Sequence, residues 1–162
     1  MNSSDWALIA LGSNQGDPRQ NVLRAFQRLQ AFSDHPIRSS TLRETAPVDC
    51  PPGSPPFINA VALLQPRAGE TPESLLEKLQ QLEREFGRQP KLVPNEPRPL
   101  DLDLIAFGKE TRSTPRLVLP HPRAHLREFV LGPLAEIAPD LLLPGQKLPI
   151  KTLLSNLRFQ SL

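Results

Sequence analysis

Asp101 and Asp103 are the residues whose type and spacing most directly indicate chemistry. They lie in the run Leu100-Asp-Leu-Asp-Leu104, whose alternation is the period-two pattern of a strand with one apolar and one polar face. Both carboxylates are therefore expected on the same face, with their Cα atoms about 6.5 Å apart. One or two divalent cations could lie between carboxylates at that spacing. An acidic pair on a strand often marks only its solvated face, so the pair alone leaves both interpretations open.

Arg98 precedes the two aspartates by three and five residues. At that separation its planar guanidinium can share an anionic ligand with a metal held by the carboxylates. Hard oxygen ligands beside a fixed guanidinium suit magnesium that carries a polyphosphate. This neighbourhood favours a metal–phosphate site over a merely solvated face.

Asn59 is the only polar side chain before the end of an otherwise apolar run, Phe57 to Gln65, that is predicted to form a buried strand. A buried amide needs hydrogen-bond partners. The backbone could satisfy it, or the amide could pair with the edge of a bound heterocycle. The strand by itself favours neither interpretation.

Composition bounds the broad class of the protein. At 162 residues the chain is expected to form one domain that buries about two-thirds of its unfolded surface. Acidic and basic residues nearly balance, with a formal net charge of +2. The sequence therefore shows no basic tract that would bind nucleic acid or an anionic membrane. The apolar runs are too short to span a bilayer and no secretory signal is evident, so a cytoplasmic location is expected.

Hydrophobic periodicity predicts alternating strands and helices. The predicted elements are a strand over 6–11, a helix capped by Asp17-Pro18 and ending near Phe32, an irregular strand over 37–45, a strand over 57–65, a helix opened by Thr71-Pro72 and ending at Phe86-Gly87, the strand holding the aspartates, a short strand over 116–119, and helices over 123–134 and 150–157. This order predicts an α+β fold with a ferredoxin-like βαββαβ core, an antiparallel sheet with helices on its faces, and C-terminal additions.

Four sequence blocks carry a resemblance to a known family. They are Leu11-Gly12-Ser13-Asn14, Phe57-Ile58-Asn59-Ala60, the stretch from Glu83 through Gly87-Arg88 to Pro97-Arg98-Pro-Leu-Asp101-Leu-Asp103, and Pro120-His121-Pro122 with Arg127-Glu-Phe129. In this order the blocks resemble the 6-hydroxymethyl-7,8-dihydropterin pyrophosphokinases, which transfer diphosphate from ATP to a pterin alcohol in folate biosynthesis. The resemblance covers nearly the whole chain. It implies that residues 1–162 form a single pyrophosphokinase domain.

The resemblance implies roles for individual residues on the ATP side. Asp101 and Asp103 would hold two magnesium ions on the triphosphate, and with Arg88 and Arg98 they would form the catalytic set. The positions that match ATP contacts are Gln80, Glu83, Arg88, Arg98, Leu104, Arg116, His121 and Arg127, with Gln80, Glu83 and Leu104 matching contacts to the nucleoside.

The resemblance also implies a pterin site. The matching positions are Gly12, Thr45, Pro47, Val48, Phe57, Asn59 and Phe129. Phe57 and Phe129 could sandwich a flat bicyclic ring while Asn59 pairs with its edge. With a heterocycle implied, the functional interpretation of Asn59 becomes the favoured one.

The loop between Arg88 and Arg98 departs from the family pattern. Prolines, an asparagine and a glutamate stand where many members carry arginine and tryptophan, which leaves Lys91 as the cation inside the loop. Lys91 is expected either to take over part of the phosphate contact or to be only solvated. Phe57 also stands where a tyrosine is common, and Pro122 where an aromatic residue is common.

Two functions from different classes remain on the sequence alone. The favoured one is an active, magnesium-dependent diphosphokinase, a monomer whose partners are ATP and 6-hydroxymethyl-7,8-dihydropterin. The alternative is a non-catalytic pterin- or nucleotide-binding paralogue that kept the pocket. Loss of either aspartate would support the alternative, and both are present.

Overall fold

The fold is a mixed α+β structure in which strands distant in sequence pair with one another. The computed structural model of the chain describes residues 6–46, 51–87 and 97–160. Its strands are β1 (Ala7–Ser13), β2 (Arg38–Ser39), β3 (Arg43–Thr45), β4 (Phe57–Leu64), β5 (Asp101–Phe107), β6 (Arg112–Ser113) and β7 (Val118–Leu119). Its α-helices are α1 (Pro18–Leu29), α2 (Pro72–Glu85), α3 (Glu128–Ile137) and α4 (Ile150–Gln160).

Strand β1 lies inside the main sheet, paired antiparallel with β4 on one side and β5 on the other. Strands β2 and β3 both pair antiparallel with β4, while β6 and β7 form a separate hairpin. The main sheet and its first two helices follow the chain order β1, α1, β2 with β3, β4, α2 and β5. This is the βαββαβ arrangement expected for a ferredoxin-like fold.

The predicted strand over 37–45 is two short strands, β2 and β3, instead of one. Ser40 interrupts it, because the hydroxyl of Ser40 accepts a hydrogen bond from the backbone N–H of Val61 at 2.9 Å. The backbone N–H of Ser40 donates to the carbonyl of Val61 at 3.0 Å. A side chain thus takes the place of a backbone acceptor in the ladder, which breaks the strand at this point.

The sheet is covered by helices on both faces. Ile9 and Leu11 of β1 pack toward α1 and α2, while Leu8 and Ala10 pack toward α3 and α4. A strand buried on both faces reads as a continuous apolar run, which is the pattern of β1. Helices α3 and α4, predicted only as C-terminal additions, thus complete the second apolar layer.

Helices α1 and α2 begin at the caps that the sequence predicts. The carboxylate of Asp17 accepts from the N–H of Gln20 at 3.3 Å, and Thr71 forms a reciprocal capping box with Ser74. Among the described residues, no helix combines the length and apolarity needed to cross a membrane.

The predicted helix over 123–134 is wrong in its start. A 3₁₀ turn occupies Ala124–Leu126 and α3 begins only at Glu128. Leu126 is 58% exposed and Phe129 39% exposed, whereas Val130, Leu131 and Leu134 are buried. The core face starts after the first turn of α3, so Phe129 projects away from the core.

Candidate active site

One row of residues crosses four strands on the face of the sheet that carries α3. Gly12 lies opposite Asn59 on β4 and opposite Asp101 on β5, and Asn59 lies opposite Arg43 on β3. Directly opposed residues of antiparallel strands point to the same face. Neighbouring strands are about 4.8 Å apart, and β1 lies between β4 and β5. The Asn59 amide and the Asp101 carboxylate therefore face one space about 10 Å wide.

A cavity of about 530 Å³ opens above this row. It is lined by five of the predicted pterin positions, namely Gly12, Thr45, Phe57, Asn59 and Phe129. Its charged lining consists of Arg98, Asp101, Asp103, Arg123 and Arg127. The three arginines outweigh the two carboxylates, which favours an anionic ligand.

Gly12 keeps the floor of the cavity open. A Cβ at this position would lie 3.2 Å from Oδ1 of Asn59 and 3.6 Å from the Phe57 ring. Any larger side chain would extend from the sheet into the space between these two residues. The sequence predicts that the first strand ends at residue 11, but β1 continues to Ser13, so Gly12 acts as a small residue within a strand.

The two aspartates share a face, as the alternation predicts. Both are half-buried and line the cavity, while Leu102 and Leu104 between and after them are buried on the opposite face. Within residues 6–46, 51–87 and 97–160, no group of three His, Cys, Asp or Glu side chains forms a metal site. Two carboxylates with water and phosphate oxygens are a ligand set that magnesium accepts.

Arg98 lies between the aspartates and the aromatic wall of the cavity. Its Nη1 is 3.6 Å from Oδ2 of Asp101, and its guanidinium carbon lies 5.6 Å from the centroid of the Phe57 ring. Its Nε is buried without a hydrogen-bond partner among the described residues. A charged N–H donor of this kind can form a hydrogen bond to a negatively charged ligand.

Asn14 is a functional residue that the residue-by-residue predictions missed. Its Oδ1 accepts from the N–H of Arg98 at 2.8 Å, and its own N–H donates to the carbonyl of Arg98 at 3.1 Å. Its Nδ2 donates to the carbonyl of Pro55 at 3.3 Å. Asn14, which is buried, thus connects the backbone at Arg98, which lines the cavity, to that at Pro55, two residues before Phe57. A polar residue that closely follows an apolar strand is the sequence signal that could have found it.

The amide of Asn59 is held in place by a neighbouring hydroxyl. Nδ2 of Asn59 donates to Oγ1 of Thr45 at 2.5 Å. Across the cavity, the guanidinium of Arg127 lies 5.4 Å from the ring centroid of Phe129. The two predicted aromatic walls, Phe57 and Phe129, therefore each carry an arginine.

The other predicted ATP positions are not all at this cavity. Gln80 and Arg116 line a second cavity of about 570 Å³ beside α2, and Arg116 pairs there with Glu77 at 3.3 Å. Leu104 is buried in the core on the face away from the aspartates. Glu83 accepts from the N–H of Leu102 at 2.8 Å, so its carboxylate ties α2 to the strand that carries both aspartates.

His121 is half-buried near Arg123 and Arg127 of the cavity above the Asn59–Gly12–Asp101 row. Its backbone N–H donates to the carbonyl of Ile105 at 2.8 Å, which attaches the segment after β7 to β5. Burial, and then the charges of Arg127 and Arg123, hold the pKa of His121 below its ordinary value. The imidazole is therefore more readily neutral than a solvated one.

Four residues from the sequence predictions lie outside the described part of the chain. They are Pro47 and Val48 of the pterin set, Arg88 of the ATP and catalytic sets, and Lys91 of the altered loop. Their roles stay predictions.

Comparison with known proteins agrees with the site's geometry. The model of the family described as 7,8-dihydro-6-hydroxymethylpterin-pyrophosphokinase matches residues 8–139. The chain belongs to this family. It is an enzyme of folate biosynthesis, a pyrophosphokinase, and enzymes of this family use magnesium ATP.

Individual relatives agree with this family match. The 2-amino-4-hydroxy-6-hydroxymethyldihydropteridine pyrophosphokinase of Pseudomonas aeruginosa is 42% identical over 87% of this chain and 86% of its own length. The enzyme of that name from Haemophilus influenzae is 38% identical over 88% of this chain and 87% of its own length. A folate synthesis bifunctional protein of Arabidopsis thaliana is 36% identical over 80% of this chain and 26% of its own length.

Proposed function

We propose that this pyrophosphokinase binds both reactants in the cavity above the Asn59–Gly12–Asp101 row. The pterin lies on the Asn59 side and the triphosphate on the Asp101 side. The observation that carries this assignment is the strand register, which places the amide and the carboxylates on one face with a glycine between them. A bicyclic ring and a phosphate chain can then meet over Gly12.

The pterin subsite uses stacking and edge recognition. Phe57 and Phe129 supply apolar faces for a flat ring, which aromatic pairs bind through offset or edge contacts. The carbonyl oxygen of Asn59 accepts from ring N–H groups, and the second N–H of its amide remains for a ring acceptor while the first stays on Thr45. Thr45 fixes the amide's orientation before the ligand arrives.

The phosphate subsite uses carboxylates and guanidiniums together. Asp101 and Asp103 would hold two magnesium ions on the triphosphate, with water and phosphate oxygens completing each shell. When bound, the metals neutralise charge on the phosphate oxygens. Arg98 and Arg127 bind the same oxygens in a planar, forked geometry, and the segment of Arg98 is fixed by Asn14.

In this arrangement the chain's own residues act by orientation and electrostatics. The pterin's hydroxymethyl oxygen attacks the β-phosphorus, the bond from that phosphorus to the α-phosphate oxygen breaks, and AMP leaves. Arg98 and Arg127 stabilise charge that builds on the transferring diphosphate. The two ring walls hold the alcohol in line with the phosphorus, which converts a bimolecular step into an oriented one.

The nucleoside is proposed to reach toward α2. Gln80 and Arg116 at the second cavity, and the strand around Leu104, are the candidate contacts on this side. Because the side chain of Leu104 is buried, a contact from this residue would come from its backbone. Glu83 is assigned to the hydrogen bond with Leu102, which positions β5.

Product analysis tests the proposal directly. Purified protein, magnesium ATP and 6-hydroxymethyl-7,8-dihydropterin should give AMP and the pterin diphosphate in equal amounts. A non-catalytic paralogue that kept the pocket would bind the pterin without forming AMP. Release of ADP instead of AMP would place the attack at the γ-phosphorus and contradict the proposed alignment.

We expect ATP binding to raise the pKa of His121. In the free enzyme this pKa is lowered by burial and by Arg127 and Arg123, so protonation favours the unfolded state and stability falls as the pH drops below about 6.5. A bound triphosphate offsets the two cations and favours the imidazolium. Between the free and bound pKa values, ATP binding therefore takes up a proton and tightens as the pH falls.

The measurement is an NMR titration of the imidazole C–H signals with and without magnesium ATP. His121→Gln assigns the signal of this residue. An unchanged His121 titration on ATP binding would remove this residue from the phosphate subsite.

We also infer a monomer in the cytoplasm. ATP is an intracellular co-substrate, and strand pairing within the chain brings Asn59, Gly12 and Asp101 together without a second subunit. Light scattering in solution tests the first assignment, and fractionation of the source cells tests the second.

A further inference from the structure

Arg43 occupies the end of the row that floors the active site, yet its side chain is engaged elsewhere. It lies opposite Asn59 in the β3–β4 ladder, so it points to the face that carries α3. Its Nε and Nη2 donate to Oε1 of Glu136 in α3 at 3.0 and 2.5 Å. Its Nη2 also donates to the carbonyl of Gly132, one turn earlier, at 3.3 Å.

Glu136 collects further donors from the same segment. The backbone N–H of Thr41 donates to it at 3.0 Å, and the Thr41 hydroxyl donates at 2.8 Å. Burial alone raises the pKa of Glu136, but hydrogen bonds from Thr41 and Arg43 outweigh it and hold the pKa below its ordinary value. The carboxylate is therefore ionised at neutral pH and binds two points of one segment.

Gly132 makes room for this contact. A Cβ at position 132 would lie 2.6 Å from Nη1 of Arg43, which is closer than real Cβ atoms approach. The guanidinium can lie against α3 only because the helix has no side chain there. The sequences of β3 and α3 are thus matched to each other at this point.

The clamp formed by Arg43 and Glu136 joins the two walls of the cavity. On one side it holds β3, which carries Thr45 and through it the Asn59 amide. On the other it holds α3, whose first turn carries Phe129. Strand β3 has only three residues and, among the described residues, pairs with β4 alone, so its own ladder fixes it weakly.

We propose that Arg43 is a positioning residue for the pterin, which sets the spacing between the Thr45–Asn59 edge and the Phe129 face through its contact with Glu136. This inference rests on the proposed pterin subsite. It adds a residue that touches no substrate and that acts mainly on the pterin, because Arg98, Asp101 and Asp103 of the phosphate subsite lie on β5 or just before it, and of this set Arg127 alone adjoins α3.

Steady-state kinetics of Arg43→Met, Glu136→Gln and the double variant test the clamp. Arg43→Met should raise the pterin KM about 10-fold and the ATP KM much less, because only Arg127 of the proposed phosphate-binding residues adjoins α3. The double variant should be no worse than Arg43→Met, because both changes remove one interaction. Arg43→Lys keeps the charge without the fork and should fall between Arg43→Met and the unchanged protein.

An ion pair away from the cavity provides the control. Arg67, after β4, pairs with Asp34 at 3.3 Å, and neither residue lies on β3 or α3 or lines the cavity. Arg67→Met should leave both KM values unchanged while it removes one ion pair between distant segments. If Arg43→Met lowers the unfolding temperature with an unchanged pterin KM, the pair serves stability alone and the proposal is overturned.

Failure of the clamp and failure of the pterin subsite give different results. If Asn59→Leu weakens pterin binding but Arg43→Met does not, the subsite stands and the clamp is wrong. If neither Asn59→Leu nor Arg43→Met changes the pterin KM, the pterin lies elsewhere and the clamp has no ligand to position. Where Arg43→Met fails to fold, Arg43→Lys and Glu136→Gln decide by the same split between the two KM values.

Discussion

Asp103→Asn is expected to lower pyrophosphokinase turnover by about 100-fold or more, the size of effect seen when one fixed electrostatic group is lost from an active site. The amide keeps the shape of the carboxylate and weakens its affinity for a divalent cation. The fold should remain intact, because Asp103 points into the cavity and the core contacts of β5 come from Leu102 and Leu104. Initial rates across a magnesium titration measure the effect.

Asp101→Asn should also abolish turnover, but Asp103→Asn is the cleaner test. Asp101 lies 3.6 Å from Arg98, so its neutralisation also changes the pairing of a phosphate-binding cation. Asp140→Asn is the matched control, since Asp140 is exposed and pairs with Lys151 away from the cavity. Unchanged turnover in either Asp101→Asn or Asp103→Asn would overturn the metal assignment.

Asn59→Leu is expected to weaken pterin binding by about 5- to 150-fold and to leave ATP binding almost unchanged. A buried donor or acceptor that loses its partner costs about 1–3 kcal/mol. Leucine offers the pterin edge neither the carbonyl acceptor nor the N–H donor of the Asn59 amide. Oγ1 of Thr45 also loses its donor. Isothermal titration with each ligand separately measures the two affinities.

The same substitution at the exposed Asn156 of α4 controls for the loss of an amide as such. Asn59→Asp gives a second test, because it keeps the acceptor and the size of the side chain but removes the two N–H donors. A fall in ATP affinity with unchanged pterin affinity would assign Asn59 to the other substrate.

The sequence determines much of this protein because several of its signals are local. The caps at Asp17 and Thr71 depend on hydrogen bonds that span three residues, so they are readable without tertiary structure. The alternation of Leu100 to Leu104 places both aspartates on one face for the same reason. The resemblance in four blocks supplies the family, and the family match confirms it.

Other features are decided by contacts between distant segments. The division of the predicted strand over 37–45 follows from Ser40 bonding to Val61, a partner that local pattern cannot identify. The exposure of Phe129 follows from where α3 meets the sheet, since helical spacing alone makes it as good a core residue as Val130. In each case the deciding partner lies on another element of the fold.

The site shows the same division. The sequence by itself determined which residue types are present, and it placed Asp101 and Asp103 together because strand periodicity is a property of the backbone. Only the tertiary structure decided that Asn59, Gly12 and Asp101 form one row, because the pairing register of three strands is set by packing across the whole sheet. It also decided that Asn14, Glu83 and Arg43 each form a hydrogen bond to a segment far away in the chain.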